Sequence, residues 1–515
     1  MTDGGTRRIR TVLLGVLSAM LLLCGIGTAV VTWVWTGGVI DTTGKVDFVN
    51  RLAVPPLAPS RIDGQGRRVF DLRAQPGRRD FGAGGPTATW GFDGDYLGPT
   101  LRARRGEKVL VNVVNGLGEP TSVHWHGMHL PAAMDGGPHQ MVRPGATWSP
   151  RWTIDQPAAT LWYHPHPHGR TADHVYRGLA GMFLLDDGAS DRLALPRRYG
   201  VDDFPLIVQD RKFDSGGRLD HGRGALGGVG ILGDTLLVNG TVGPYLDVST
   251  ERVRLRLLNG SNARTYDFGF ADGRGFALIG TDGGLLAAPH RTGRIRLSPG
   301  ERAEVVVSMR PGERAVLRSF PPETGVDFFN SRFTGGDDTF DVLELRAAGT
   351  LAPAPEVPTR LVPIDPLDPA SAVTQRRFRL SGRQINGRAM DPERIDFAVT
   401  RDTTEIWELV KQDGTPHSFH VHDVQFQVLS VDGAPPPPEL AGWKDTVLLT
   451  AGRPMRIIAR FTDHADPNMP YMFHCHLLDH EDRGMMGQFV VVEPGQRPGR
   501  PPTGHGHTQG HAEHP

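Results

Sequence analysis

Hydrophobic and polar residues alternate with a period of two along most of the chain. The pattern is clear in residues 108–114 (KVLVNVV), 252–258 (RVRLRLL) and 303–308 (AEVVVS). Such alternation is typical of strands that bury one face. No long stretch after residue 40 has the period of an amphipathic helix, so the pattern predicts an all-β protein of stacked sandwiches.

The β-rich sequence divides into three blocks, at residues 46–188, 200–347 and 371–495. A length of 515 residues suits this number, because domains average roughly 150 residues. Between the second and third blocks, residues 348–370 carry six prolines and predict a stiff linker. Residues 496–515 are rich in glycine, proline and histidine and predict a disordered tail, whose histidines we expect to collect copper loosely.

The N-terminus carries an apolar segment, with no charged residue from Thr11 to Ile40. This length suffices for a helix that crosses a bilayer. Arg7, Arg8 and Arg10 precede it, so the positive-inside rule keeps residues 1–10 in the cytoplasm and exports the rest. We expect a transmembrane anchor over residues 11–40. A cleaved signal sequence, which would give a secreted or periplasmic protein, stays the alternative, and the arginine pair leaves twin-arginine and general export both open.

Charge and cysteine content narrow the function. The chain has 56 basic and 57 acidic residues, which gives no positive field for nucleic acid. Its two cysteines, Cys24 and Cys475, cannot build a disulfide framework, and Cys24 lies in the apolar segment. Against them stand 21 histidines. This excess of imidazole over thiol predicts a metalloprotein in which Cys475 is a single thiol ligand.

Four short stretches concentrate the histidines. They are His124-Trp-His126, His164-Pro-His166, His417-Ser-Phe-His420-Val-His422, and His474-Cys475-His476 followed by His480 and Met485. In a strand, residues two apart point to one face, so each His-x-His pair presents two imidazoles side by side. Cys475 would point to the opposite face, and one tripeptide would then join two metal centres. One thiolate, two histidines and a weak thioether form the blue-copper pattern, whereas structural zinc favours more thiolates.

These stretches resemble the multicopper oxidases, the family of laccases, bilirubin oxidases and bacterial cuprous oxidases. The resemblance spans residues 50–495 and includes DGGP after the first pair, LLVNG at 236–240, GWKDTVLL at 442–449 and HCHLLDHEDRGMM at 474–486. It implies three cupredoxin-like Greek-key sandwich domains and four copper ions. The implied ligands are His417, Cys475, His480 and Met485 for type 1 copper; His124 and His420 for type 2; and His126, His164, His166, His422, His474 and His476 for the two type 3 ions.

By this resemblance, the type 1 site takes electrons one at a time from a small donor, and Cys475 passes them to the cluster that reduces O₂ to water. Asp135 and Glu481 match acidic positions that relay protons. We expect a monomeric catalytic unit with a phenol, an aromatic amine or Cu(I) as donor, and Asp413 and Asp423 as candidates for orienting it. A role mainly in copper homeostasis, as a cuprous oxidase, stays open, although the methionine-rich insertion common in those enzymes is missing.

Three other functions fit the sequence less well than the oxidase. A copper-free scaffold would be expected to lose ligands, whereas this chain keeps Cys475 and all ten histidines. Nitrite reductases of the cupredoxin fold normally have two domains, and a copper-storage protein would not need Cys475 between cluster ligands. The resemblance therefore favours an enzyme over a non-enzymatic copper-binding scaffold.

Overall fold

The computed structural model describes residues 20, 23–29, 31, 32, 34–222 and 228–502. Within these residues the chain is mostly β, which confirms the prediction of a β-rich fold. Six sheets pack in three face-to-face pairs, and each pair encloses its own apolar core. A smaller apolar cluster, which includes Tyr96, Trp162 and Leu258, joins the first pair to the second.

The first sandwich is built from one sheet in the order β2-β3-β6-β8, with β4 beside β3 and β9 beside β6, and a second in the order β5-β11-β10-β7. Its strands are β2 (Ser60–Ile62), β3 (Arg68–Asp80), β4 (Pro86–Phe92), β5 (Leu101–Arg104), β6 (Lys108–Asn115), β7 (His124–His126), β8 (Thr147–Trp148), β9 (Arg151–Thr153), β10 (Thr160–His164) and β11 (Gly181–Asp186). Burial alternates along β6, as its sequence pattern predicts.

The second sandwich pairs the sheets β14-β13-β12-β16-β21-β18-β19 and β1-β15-β23-β22-β17-β20. Its strands are β1 (Asn50–Arg51), β12 (Asp203–Arg211), β13 (Thr235–Val238), β14 (Thr241–Val242), β15 (Pro244–Thr250), β16 (Arg252–Asn259), β17 (Tyr266–Phe270), β18 (Phe276–Thr281), β19 (Gly284–Thr292), β20 (Ile295–Leu297), β21 (Arg302–Ser308), β22 (Arg314–Phe320) and β23 (Phe340–Ala352).

Two of its strands depart from the predicted blocks. β1 was expected in the first block, but it pairs in parallel with β15, and the N–H of Leu52 donates to Tyr245 O at 2.8 Å. An unpaired edge of the second sheet is thereby covered. β23 continues to Ala352, five residues into the segment predicted as linker, because its N–H and C=O groups pair with β15.

The third sandwich pairs the sheets β25-β24-β27-β31-β29 and β26-β33-β32-β28-β30. Its strands are β24 (Ala372–Ser381), β25 (Gln384–Ile385), β26 (Phe397–Thr400), β27 (Thr403–Lys411), β28 (His417–Val421), β29 (Phe426–Val431), β30 (Thr446–Leu449), β31 (Met455–Phe461), β32 (Tyr471–Cys475) and β33 (Met486–Val492).

Beyond the N-terminal region, helices in the described part of the chain are few and short. They are α1 (Thr171–Arg177), α2 (Phe328–Phe333) and α3 (Leu478–Asp482), with single 3₁₀ turns at Ala132–Met134, Ser190–Arg192, Pro369–Ser371 and Pro438–Leu440. The described residues between 20 and 37 are also helical.

The predicted transmembrane helix over 11–40 is not supported, because none of the described residues forms a helix long and apolar enough to cross a membrane. Residues 1–19, 21, 22, 30 and 33 of that N-terminal region lie outside the described residues, as does most of the predicted tail, from residue 503.

Candidate metal centres

The first group of candidate ligands brings a thiol and two imidazoles together inside the third sandwich. Cys475 ends β32, His417 begins β28 and His480 lies in α3. Cys475 Sγ lies 3.5 Å from His417 Nδ1 and 3.7 Å from His480 Nδ1, and the two nitrogens are 3.2 Å apart. All three side chains are buried. Three ligand atoms therefore converge on one point, as a mononuclear metal site requires.

The chain around this group fixes its orientation. Met485 is fully buried, its carbonyl accepts from Cys475 N at 3.0 Å, and its N–H donates to His480 O at 2.8 Å. His417 Nε2 donates to Asp413 Oδ1 at 2.9 Å, and His480 Nε2 donates to Gly228 O at 3.0 Å. Because each Nε2 carries the proton, each Nδ1 presents its lone pair towards the thiol.

The charge state of the group also favours a cation. Burial raises the pKa of the Cys475 thiol to about 12. Burial, followed by the neighbouring His417, lowers the pKa of His480 to about 3. A thiolate at this place therefore needs a bound cation, while the imidazole of His480 is already neutral and able to donate a lone pair.

A second group gathers eight imidazoles between the first and third sandwiches. Cross-strand pairs bring them together, since His164 lies opposite His124 and His420 lies opposite His474. Every ring is buried, and the two sandwiches meet in ring stacks, with centroids 3.8 Å apart for His124 and His422. The eight are His124, His126, His164, His166, His420, His422, His474 and His476.

The ring nitrogens of this cluster face one another. Nε2 of His474 lies 3.2 Å from Nε2 of His166 and 3.3 Å from Nε2 of His422. On the other side, His126 Nδ1 lies 3.4 Å from His164 Nε2. Such contacts between nitrogen lone pairs are unfavourable unless an ion lies between the rings. Three sets of three histidines are therefore candidate metal-binding groups: His124, His126 and His164; His124, His420 and His422; and His166, His422 and His474.

Unsatisfied nitrogens point to the same conclusion. Nε2 of His124, Nε2 of His420 and both nitrogens of His476 are buried without a hydrogen-bond partner. Each such atom costs about 1–3 kcal/mol when it is left unpaired. Burial also holds the pKa of His164 and His166 well below its usual range, so these rings are neutral.

Two carboxyl groups flank the cluster. Asp135 Oδ2 accepts from His422 Nδ1 at 2.6 Å, and Oδ1 lies 3.1 Å from His124 Nδ1. Burial alone would raise the pKa of Asp135, but the two rings outweigh burial and hold it below its usual value. Glu481 lies 3.2 Å from His474 Nδ1, and burial, with Asp482 adding to it, raises the pKa of Glu481 well above its usual range. Asp135 is therefore favoured as a carboxylate, whereas burial favours the protonated form of Glu481.

Sequence comparison identifies the group of proteins to which this arrangement belongs. Profiles described as multicopper oxidase match residues 74–190 and 359–495. Multicopper oxidase mco of Staphylococcus haemolyticus is 36% identical over 453 residues, which cover 86% of this chain and 93% of that protein. The chain belongs to the multicopper oxidase family. The predicted resemblance is thus confirmed.

Other relatives of this multicopper oxidase carry different names. Cell division protein FtsP of Yersinia pestis is 39% identical over 447 residues, which cover 86% of this chain and 92% of that protein. Among solved structures, a laccase from Pediococcus acidilactici has a TM-score of 0.77 at 35% identity, covering 86% of this chain and 94% of that one. A laccase-like multicopper oxidase from Ochrobactrum sp. has a TM-score of 0.78 at 36% identity, covering 86% and 100%.

Sequence reasoning missed the main support of the cluster. His126 Nε2 donates to Asp445 Oδ1 at 3.0 Å, and His420 Nδ1 donates to Asp445 O at 2.8 Å. Arg302, from the second sandwich, donates to both carboxylate oxygens of Asp445 at 2.7 Å. Asp445 lies in the sequence GWKDTVLL at 442–449. The sequence alone does not indicate that Asp445 supports histidines of the cluster.

The two donor-orienting candidates differ in position. Asp413 is hydrogen-bonded to His417 of the mononuclear group, and a fifth of its side-chain surface is exposed. Asp423 instead lies 3.0 Å from His129 Nδ1 and is buried. Of these two carboxylates, Asp413 is therefore the one that joins a candidate ligand to the surface.

Proposed function

We propose that this chain is a copper-dependent oxidase that takes electrons from a small donor and reduces O₂ to water. The observation that carries the proposal is the pairing of two buried sites: a thiol between two imidazole nitrogens, and eight rings with unpartnered nitrogens. These donors fit copper, because imidazole with a single thiolate matches its preferences and family membership points to the same metal.

The ligand assignment follows the two groups. His417, Cys475, His480 and Met485 would hold type 1 copper. The cluster would hold type 2 copper through His124 and His420, and the two type 3 ions through His126, His164, His166, His422, His474 and His476. When bound, four copper ions would store the four electrons that one O₂ needs to become two waters.

The chain's own residues connect the sites and handle the protons. Cys475 belongs to the first group and is covalently joined to His474 and His476 of the second, so the backbone links the sites without a gap. Glu481 holds a proton next to His474, and Asp135 holds the rings of His124 and His422 in place. Both act within hydrogen-bond reach of the cluster, as proton transfer requires.

The partly exposed side chain of Asp413 indicates where an electron donor could approach the type 1 site. Asp413 reaches solvent and accepts from His417 Nε2, so a phenol, an aromatic amine or Cu(I) that contacts Asp413 would lie next to a type 1 ligand. The Ochrobactrum protein is described as active towards lignin model compounds, which favours a phenolic donor. We further propose that the three sandwiches are the domains predicted at 46–188, 200–347 and 371–495, with β1 assigned to the second domain and the linker beginning after Ala352. We also propose an extracytoplasmic, monomeric enzyme that residues 11–40 direct to the cell envelope.

A role without catalysis is the alternative, since relatives named cell division protein FtsP are as similar as the oxidases. The complete ligand set favours the oxidase. The test is visible absorption and O₂ uptake by the full chain, with and without copper, using a phenol, an aromatic amine and Cu(I). We expect an intense blue band and copper-dependent uptake with at least one donor; a colourless loaded protein would refute the assignment.

The proton role has its own variants. In Asp135→Asn and Glu481→Gln we expect slower O₂ uptake while copper content and the blue band stay unchanged. Full turnover in both variants would show that neither group handles protons.

A further inference from the structure

An exposed aromatic patch lies where the apolar N-terminal segment meets the second sandwich. Phe328 and Phe329, at the start of α2, are 72% and 53% exposed. The ring of Trp35 packs beside them, with centroids 5.4 Å from Phe328 and 6.2 Å from Phe329. Phe333 closes the group at 6.1 Å from Trp35. We call these four residues, with Arg332, the aromatic patch.

The patch is firmly attached to the folded chain. Arg332 stacks on the Trp35 ring at 4.5 Å and its Nε donates to Trp35 O at 2.6 Å. Just beyond, Ile40 N donates to Asp338 Oδ1 at 2.7 Å, and Thr339 N donates to Ile40 O at 2.8 Å. The end of the N-terminal helix therefore has a fixed place on the second sandwich.

The helix that leads into the patch exposes apolar side chains as well. Met20, Leu23, Ile26 and Val31 are each more than half exposed. The segment has no charged residue from Thr11 to Ile40, so it lacks the polar face of a helix that rests in water. Trp35 near the end of this helix, and Arg332 of α2 stacked on it, are residue types that favour the border between lipid and water.

The patch also lies near the proposed donor entrance, which is the solvent-exposed side of Asp413. A Cβ on Gly414 would come within 2.8 Å of Asn330 Nδ2, so α2 packs directly against the loop that carries Asp413. Asp413 in turn accepts from His417 Nε2 at 2.9 Å. The exposed rings and Asp413, which joins the mononuclear group to solvent, thus lie close together.

We propose that the aromatic patch is a membrane-contact surface that holds the donor entrance at the bilayer, so that a hydroquinone dissolved in lipid is the favoured donor. Contact needs only the exposed rings and the apolar segment, while the donor class rests on the proposed function. Each hydroquinone releases two electrons and two protons and becomes a quinone, so two of them convert one O₂ into two waters.

Contact is tested by site-directed spin labelling of the full chain, in a Cys24→Ser background that leaves only the buried Cys475. One label replaces Phe328; the control label replaces Val373, which is 65% exposed on β24. With vesicles of phosphatidylcholine and phosphatidylglycerol, we expect the label at 328 to become more accessible to O₂ and less accessible to a water-soluble nickel chelate. The control should stay aqueous. Equal accessibility at both positions, or immobilisation at 328 without lipid by a second copy, overturns the proposal.

Donor class is tested with Phe328→Ser/Phe329→Ser and the control Val373→Ser. We expect the double variant to oxidise a vesicle-dissolved hydroquinone severalfold more slowly, with an unchanged rate for a water-soluble sulfonated hydroquinone. Equal slowing of both donors, or of neither, overturns the donor class. If no variant oxidises any donor, the proposed function fails, whereas the spin-label result still decides membrane contact.

Discussion

The ion pair between Arg302 and Asp445 makes a demanding prediction about stability. Both side chains are buried, and the guanidinium donates to both carboxylate oxygens at 2.7 Å. Arg302 also donates to Thr160 O at 2.9 Å and Asp282 O at 3.0 Å. In Asp445→Asn the amide has nearly the same shape but no charge, so the guanidinium loses its closest counterion.

The expected loss is large because the remaining cation cannot reach water. Removing one partner of a buried pair costs about 3–5 kcal/mol, whereas an exposed pair contributes about 0–1 kcal/mol. Asp282, whose carboxylate lies 3.7 Å from Arg302 Nη1, compensates partly, which places the expectation near 3 kcal/mol, the lower end of that range. The matched control is Asp247→Asn, which breaks the exposed pair with Arg51.

Native-state hydrogen exchange on the copper-free full chain is the suitable assay. It reports the opening free energy of each strand and does not assume that a chain of three sandwiches unfolds in one step. We expect β21, which begins at Arg302, to lose about 3 kcal/mol in Asp445→Asn and less than about 1 kcal/mol in Asp247→Asn. Equal losses in the two variants would refute the reasoning.

Three further predictions follow from single positions. Cys475→Ser should abolish the blue absorption and donor oxidation while the histidine cluster keeps its copper; a variant that stays blue would contradict the assignment. Burial alone would raise the pKa of Glu304, but neighbouring arginines lower it to about 2, below the usual 4.5. Its stabilisation should therefore be complete above about pH 4.5 and fall as pH drops towards 2, and urea unfolding of Glu304→Gln should lack this decline. Gly300→Ala should lower cluster copper content, because a Cβ there would lie 3.0 Å from the His476 ring; Gly312→Ala, also at positive φ but in open space, should not.

The sequence predicted local features best. Period-two alternation identifies strands such as β6, and it places two histidines of a His-x-His pair on one side of a strand. It also indicates that Cys475 points away from its neighbours. Both inferences need only the geometry of one strand.

Long-range features could not be predicted in this way. Arg302 and Asp445 are 143 positions apart, and no periodicity links them. β1 pairs with the second sandwich although it lies in the first predicted block. The contact between Trp35 and Phe328 could not be predicted either, because the apolar segment is visible in the sequence but its position on the fold depends on tertiary contacts.

The second sandwich holds the first and third sandwiches in place around the histidine cluster that they share. It supplies none of the proposed copper ligands, yet Arg302 bonds the Thr160 carbonyl of the first sandwich and Asp445 of the third. Glu301 beside it accepts from Lys444 Nζ at 2.7 Å. Because the cluster histidines come from the two outer sandwiches, a small rotation between them would separate the facing nitrogens. Buried ion pairs, which are directional and costly to break, resist that rotation better than an apolar contact that slides. The second sandwich therefore holds the proposed copper ligands of the first and third sandwiches in register.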